Sequence, residues 1–215
     1  MFENNDEVMA KNLIDDIIST EAKRIIATSI FLAMKIAKKV CMKKPNLPLT
    51  SKYEAGCILR FIIYEIAAEM SEKYPLAHLR YAETSANNPV DFYFSDKAKL
   101  HIKKCANQEK LPELSRVRAQ NAKINNQLSL FDEEEYATYF CLVTYSHKGF
   151  GVQYIQIGVP NADYTGWLYR VSIMEYIDID QAEEIEKMYG DEMEAAMQEK
   201  IQKNFGLTLN MSGDE

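Results

Sequence analysis

Tyr136-Ala137-Thr138-Tyr139-Phe140-Cys141-Leu142-Val143-Thr144-Tyr145 and Val152-Gln153-Tyr154-Ile155-Gln156-Ile157-Gly158-Val159, separated by Ser146-His147-Lys148-Gly149, form the stretch that decides the fold. Both runs are rich in β-branched and aromatic residues and show period-two alternation. Together with the polar, Gly-containing link, this predicts an antiparallel hairpin. His147 falls in the predicted turn, where a polar turn residue explains it without catalysis. The segment Pro160–Gly166 reads as the next loop, and Trp167 to Ile177 predicts a third antiparallel strand.

Upstream, Leu111 to about Asn126 has helical spacing, with Pro112 in the first turn, Leu114, Val117 and Ile124 on one side and two asparagines as a stop. Before it, Val90-Asp91-Phe92-Tyr93-Phe94 predicts a strand, with a shorter neighbour at Leu100-His101-Ile102. Alternation puts Phe92 and Phe94 on one face, toward the core, and turns Tyr93 the other way. Leu76–Tyr81 fits either a strand or a short helix, and Thr84–Pro89 a polar turn.

From about Asp6 to Lys43 the apolar residues Leu13, Ile14, Ile17, Ile18, Ile25, Ile26, Ile30 and Met34 recur at helical spacing, and Thr20 with Lys23 makes no capping box that would break the run. A second helix, capped by Thr50 or Ser51, is predicted to run to about Lys73. Asp180, with Glu183 three residues on, is the expected cap of a C-terminal helix, and Leu207–Met211 reads as an edge strand or a tail. The expected class is α+β: N-terminal helices (about 6–74) packed on a mostly antiparallel sheet (about 76–177), with a C-terminal helix (about 180–204), in one domain over 1–215.

The 215 residues suffice to bury a core without disulfide or metal staples, and 47% hydrophobic residues with eight Gly and six Pro exclude low complexity. Cys41, Cys57, Cys105 and Cys141 are widely spaced, with no CxxC pair and no Cys/His cluster, so reduced thiols are expected and no metal or cofactor is. The acidic start Glu3-Asn4-Asn5-Asp6-Glu7 is unlike a secretory signal, and the apolar run Ile25–Ala37 is short of the roughly 20 residues that span a bilayer. A cytoplasmic protein without membrane contact is expected. The net charge of −7 divides unevenly: Lys97–Lys123 holds eight Lys/Arg against two Glu, and Asp178–Glu215 three Lys against eleven acids.

Gln127-Leu128-Ser129-Leu130-Phe131 lies between Asn125-Asn126 and the acidic run Asp132–Glu135. This pentapeptide resembles the consensus by which bacterial replication and repair proteins dock on the DNA sliding clamp. The resemblance covers five residues and implies a protein of bacterial or mobile-element origin whose partner is the clamp. An amide at Gln127 would set register, and Leu128, Leu130 and Phe131 would fill an apolar cleft. The same three apolar residues also suit the core side of a short strand ending at Asp132.

Lys97, Lys99, Lys103, Lys104, Arg116, Arg118 and Lys123 could track phosphates, with Tyr93 as a stacking ring; a solvated basic face accounts for the same residues. No Gly-rich phosphate loop, GxSxG elbow, HExxH pair or EF-hand loop occurs, so no catalytic residues are assigned. The enzymatic alternative is a metal-dependent nuclease using Asp91, Asp96 and Lys99, which lack the acid, acid-x-Lys order of PD-ExK nucleases. A third reading is a self-associating structural protein.

Overall fold

The structure is a computed structural model that describes residues 5–42, 63, 66–68, 70–75, 78–83, 90–125, 138–187, 191 and 195. Its class is α+β, and its centre is a six-stranded sheet in the order β1-β2-β3-β4-β5-β6: Leu79–Glu83, Val90–Phe94, Ala98–Lys104, Tyr139–Lys148, Gly151–Pro160 and Trp167–Ser172. Four of the five pairings are antiparallel, and β3 with β4 is parallel. A parallel pair cannot be joined by a tight turn, so the chain between β3 and β4 must cross the sheet. That crossover carries a short helix.

The first helical run is broken, contrary to the expectation of no firm stop. Helix α1 (Asn5–Asn12) runs into a wider π turn (Leu13–Ile17), Ile18 is extended (φ −71°, ψ 108°), and α2 (Thr20–Met42) starts afresh. The missing cap is Ser19, whose Oγ accepts from the Ala22 N–H at 3.1 Å. Of the second predicted helix, α3, the helical residues described are 63, 66–68 and 70–73, and its predicted start lies outside the described residues. The C-terminal helix α5 is helical over 179–187; its cap is Asp178, which accepts from the Gln181 N–H at 2.9 Å, and not Asp180. Leu207–Met211 and the turn Thr84–Pro89 also lie outside the described residues.

The helices cover one face of the sheet. Alternate strand residues Phe92 and Phe94, Leu100 and Ile102, Cys141 and Val143, and Ile155 and Ile157 meet Leu13, Ile14, Ile26, Ile30 and Met34 in a single core, with Ile66, Met70 and Ile185. Helix α5 is tied to α2 by Glu186, which takes Lys35 at 3.1 Å and Lys39 at 2.5 Å. Burial alone would raise the Glu186 pKa, but the two ammonium groups outweigh it and hold it below the ordinary 4.5. Its contribution is therefore present above the unfolded value and is lost as pH falls through the lower folded one. Glu186→Gln is expected to cost under about 1 kcal/mol at pH 7 in urea titrations, with the difference from wild type vanishing in acid.

The hairpin is as anticipated in pairing but not in the extent of its turn, which was expected over Ser146–Gly149. Strand β4 runs on through His147 and Lys148, and the tip is Gly149-Phe150, both at positive φ (55° and 65°), as a two-residue type I′ link requires. A bulge between Ser146 and His147 shifts the register just before the tip. His147 is therefore a strand residue, stacked on Phe150 at 5.8 Å, and burial and then the Lys104 charge lower its pKa. Strand β6 stops at Ser172, short of the predicted Ile177, because Met174–Tyr176 turns into a 3-10 helix that leads to Asp178.

The second face is covered over β4 and β5 by the crossover. Residues 105–115 are irregular, and Ser115 caps α4 (Arg116–Ala122), so the helix predicted from Leu111 is shorter by its first turn. Ala122 packs with Phe140, Leu142 and Tyr164, beside Leu111 and Trp167. Gly158 opposite them has no side chain, and the Trp167 indole occupies that space.

Candidate functional site

Three strands place Arg80, Tyr93 and Lys99 in one row: Arg80 is the register partner of Tyr93, and Tyr93 that of Lys99. Because Phe92 and Phe94 point into the core, Tyr93 points to the second face, as its position in the alternation predicts. Its half-buried ring carries the Arg80 guanidinium 5.2 Å and the Lys99 ammonium 5.8 Å from its centroid. Cations at this range are attracted to the ring quadrupole, and at an exposed site each contact is worth about 0.5–1 kcal/mol. Arg80 also bonds Asp96 Oδ1 at 2.7 Å, but with side chains 64% and 92% exposed this pair contributes little to stability.

An open cleft of about 540 Å³ adjoins the row at the end of the sheet, lined by Ser71, His78, Arg80 and Asp96 among others. His78 and Ser95 shape it with left-handed backbone (φ 54° and 47°), joined by the bond from Ser95 N–H to the His78 carbonyl at 2.9 Å.

The predicted basic residues divide into three groups. Lys99 lies beside Tyr93 early in β3, and Lys97 is in the turn between β2 and β3. Lys103 and Lys104 lie at the far end of β3, roughly 13 Å or more along the strand at about 3.3 Å per residue. Arg116, Arg118 and Lys123 belong to the crossover, where Arg116 and Lys123 are exposed. Arg118 is folded inward: its Nη2 donates to the Glu113 carbonyl, and its charge opposes the rise that burial imposes on the Tyr164 pKa. Arg80 is the site residue that sequence reasoning missed. Its one local signal was the Leu79-Arg80-Tyr81 alternation, which does not say that it meets Tyr93.

The pentapeptide Gln127–Phe131 and the acids after it lie outside the described residues, but the chain on both sides is described. Asn125, 2% exposed, binds Phe140 twice: its Oδ1 accepts from the Phe140 N–H at 2.8 Å and its Nδ2 donates to the Phe140 carbonyl at 3.0 Å. The same Nδ2 donates to the Pro160 carbonyl at 2.8 Å. Thr138 Oγ1 donates to the Asp96 carbonyl at 2.8 Å. Asn125 and Thr138, the described residues on either side of 126–137, are thus both held near the start of β4.

Among the described residues the nuclease reading is not assembled, and no thiol is set beside a histidine for nucleophilic chemistry. Asp96 is turned to Arg80, Lys99 to Tyr93, and of Asp91 only the backbone, paired with Ala82, is described. Among the described residues no group of three His, Cys, Asp or Glu could hold a metal ion. Cys141 is fully buried, which pushes its thiol far above the ordinary range, and His147 is roughly 20 Å farther along β4. Cys105 and Cys141 are both free thiols. His101 is buried against the Phe140 edge at 5.0 Å, in a packing role. No helix among the described residues is long and apolar enough to cross a membrane.

Fold and site together define an α+β protein with a mixed six-stranded sheet and a basic-aromatic row on its second face. Neither a protein-family model, nor a curated protein, nor a solved structure matches the chain.

Proposed function

We propose that this protein is a non-enzymatic accessory factor of bacterial or mobile-element DNA replication or repair. It docks on the sliding clamp through Gln127, Leu128, Ser129, Leu130 and Phe131. The observation that carries the reading is the closure at Asn125 and Phe140. Both ends of the intervening chain are held at one point of a rigid sheet, so a peptide between them can be offered to a partner without disturbing the core. Short ends held together are the arrangement of compact surface loops that carry binding residues. In the docked state Gln127 satisfies polar groups at the rim of the clamp cleft, and Leu130 and Phe131 supply most of the affinity from its apolar floor.

The test is binding of the intact protein to a purified bacterial clamp, by calorimetry. Wild type is expected to bind, and the triple variant Gln127→Ala, Leu130→Ala, Phe131→Ala to lose at least a hundredfold in affinity while keeping its unfolding midpoint. Equal binding by both proteins, or no binding by folded wild type, rejects the proposal.

A further inference from the structure

We propose that the row Arg80, Tyr93 and Lys99 is a binding surface for single-stranded DNA. This goes beyond clamp docking and is independent of it. The second face is divided: over β4 and β5 its buried cluster is Ala122, Phe140, Leu142 and Tyr164, to which the described residues of β1 and β2 contribute none. Charge selects the partner. The protein as a whole is at −7, yet Arg80, Lys97 and Lys99 against Asp96 and the cleft-lining Glu72 give the described corner +1. An anionic ligand is drawn here and repelled from the acidic C-terminal segment, whose eleven carboxylates face three lysines.

The ring then narrows the anion to one that carries bases. Free phosphate or an acidic peptide would use the cations and leave Tyr93 idle. A nucleic-acid strand uses both: phosphates take Arg80 and Lys99, and the ring they uncover stacks with a base. Arg80 can exchange its present contacts for a phosphate because its side chain is 64% exposed and is held by a 92% exposed carboxylate and by the face of the Tyr93 ring at 5.2 Å. A duplex presents no free base face to a ring on a sheet, so a single strand is preferred. The cleft at Ser71 and His78, bordering Arg80, gives the next nucleotide room to leave the row.

The experiment is fluorescence anisotropy of the full chain, without any clamp, against labelled dT20, an rU20 strand and a 20-base-pair duplex. Wild type is expected to bind dT20 at least tenfold tighter than the duplex and no weaker than rU20. Tyr93→Leu should lose about tenfold, Tyr93→Phe should bind as wild type, and Arg80→Gln with Lys99→Gln should flatten the salt dependence by about 0.7 per lost phosphate contact. Of the three positions changed, Arg80 is exposed and Tyr93 and Lys99 are half-buried, and circular dichroism checks that each variant is folded. Overturning results are no binding of dT20 by wild type, equal affinity for duplex, tighter binding of rU20, or a Tyr93→Leu variant that binds as wild type. Clamp binding by the same variants is expected to be unchanged, so failure of either proposal is seen separately.

Discussion

Asn125→Ala is expected to lower the unfolding free energy by about 3–5 kcal/mol, from the loss of three hydrogen bonds that leave buried backbone groups unpaired at about 1–3 kcal/mol each. Those groups are the Phe140 N–H, the Phe140 carbonyl and the Pro160 carbonyl, all met by one side chain that is 2% exposed. Against a typical total of about 5–15 kcal/mol, this is enough to bring the protein to the edge of unfolding. Asn125→Asp keeps the shape and separates the roles. Its carboxylate still accepts from the Phe140 N–H but turns a charge toward two carbonyl oxygens. Such a carboxyl has a folded pKa raised above its unfolded value of about 3.9, so the destabilisation is least in acid and grows as pH rises through and beyond that value. Urea titrations of both variants at pH 4 and pH 7 check this. A loss under 1 kcal/mol in Asn125→Ala, or an Asn125→Asp variant that is no worse at pH 7 than at pH 4, would show that the pin contributes little.

The second large effect is expected at Gly158. A Cβ there would stand 2.7 Å from the Cε3 and Cζ3 atoms of Trp167 and 2.8 Å from the Cβ of Arg170. The Arg170 Cβ is fixed to a paired strand, so relief has to come from the indole, which also adjoins the second core. Gly158→Ala should therefore cost about 2–3 kcal/mol by overpacking. Gly166→Ala, whose nearest neighbour would be 3.9 Å away, is the control and should change stability by less than about 0.5 kcal/mol. A Trp167→Leu background should recover much of the loss at Gly158, because it removes the obstructing ring; additive losses would place the strain elsewhere.

Much of the fold is legible along the chain. The alternation of Phe140 and Leu142 against Cys141, Val143 and Tyr145 marks a strand with two different faces, and the structure buries the two sets in two different clusters. The placement of Tyr93 opposite Phe92 and Phe94 is legible for the same reason. Less visible was the stop at Ser19: the apolar spacing continues through it, and one hydroxyl accepting from Ala22 decides the break. The tip of the hairpin was misplaced because Phe150 adopts a left-handed backbone that the residue type disfavours, and its stack on His147 accompanies that choice.

The candidate site was legible in part. Tyr93 and Lys99 were marked by residue type, but the eight cations between Lys97 and Lys123 looked equivalent in one dimension. Sheet register brings Arg80 to the ring from the neighbouring strand, whereas Arg118 bonds the Glu113 carbonyl locally and Arg116 and Lys123 stay with the crossover helix.

By itself the sequence determined the α+β class, the hairpin and its return strand, and the inward and outward faces, because each depends on neighbours two to four residues apart. Only the tertiary structure decided that β3 and β4 run parallel, that one asparagine closes the chain around residues 126–137, and that Arg80, Tyr93 and Lys99 share a row. Those are choices among strand partners distant in sequence, and they are settled by which pairing buries both faces of the sheet together.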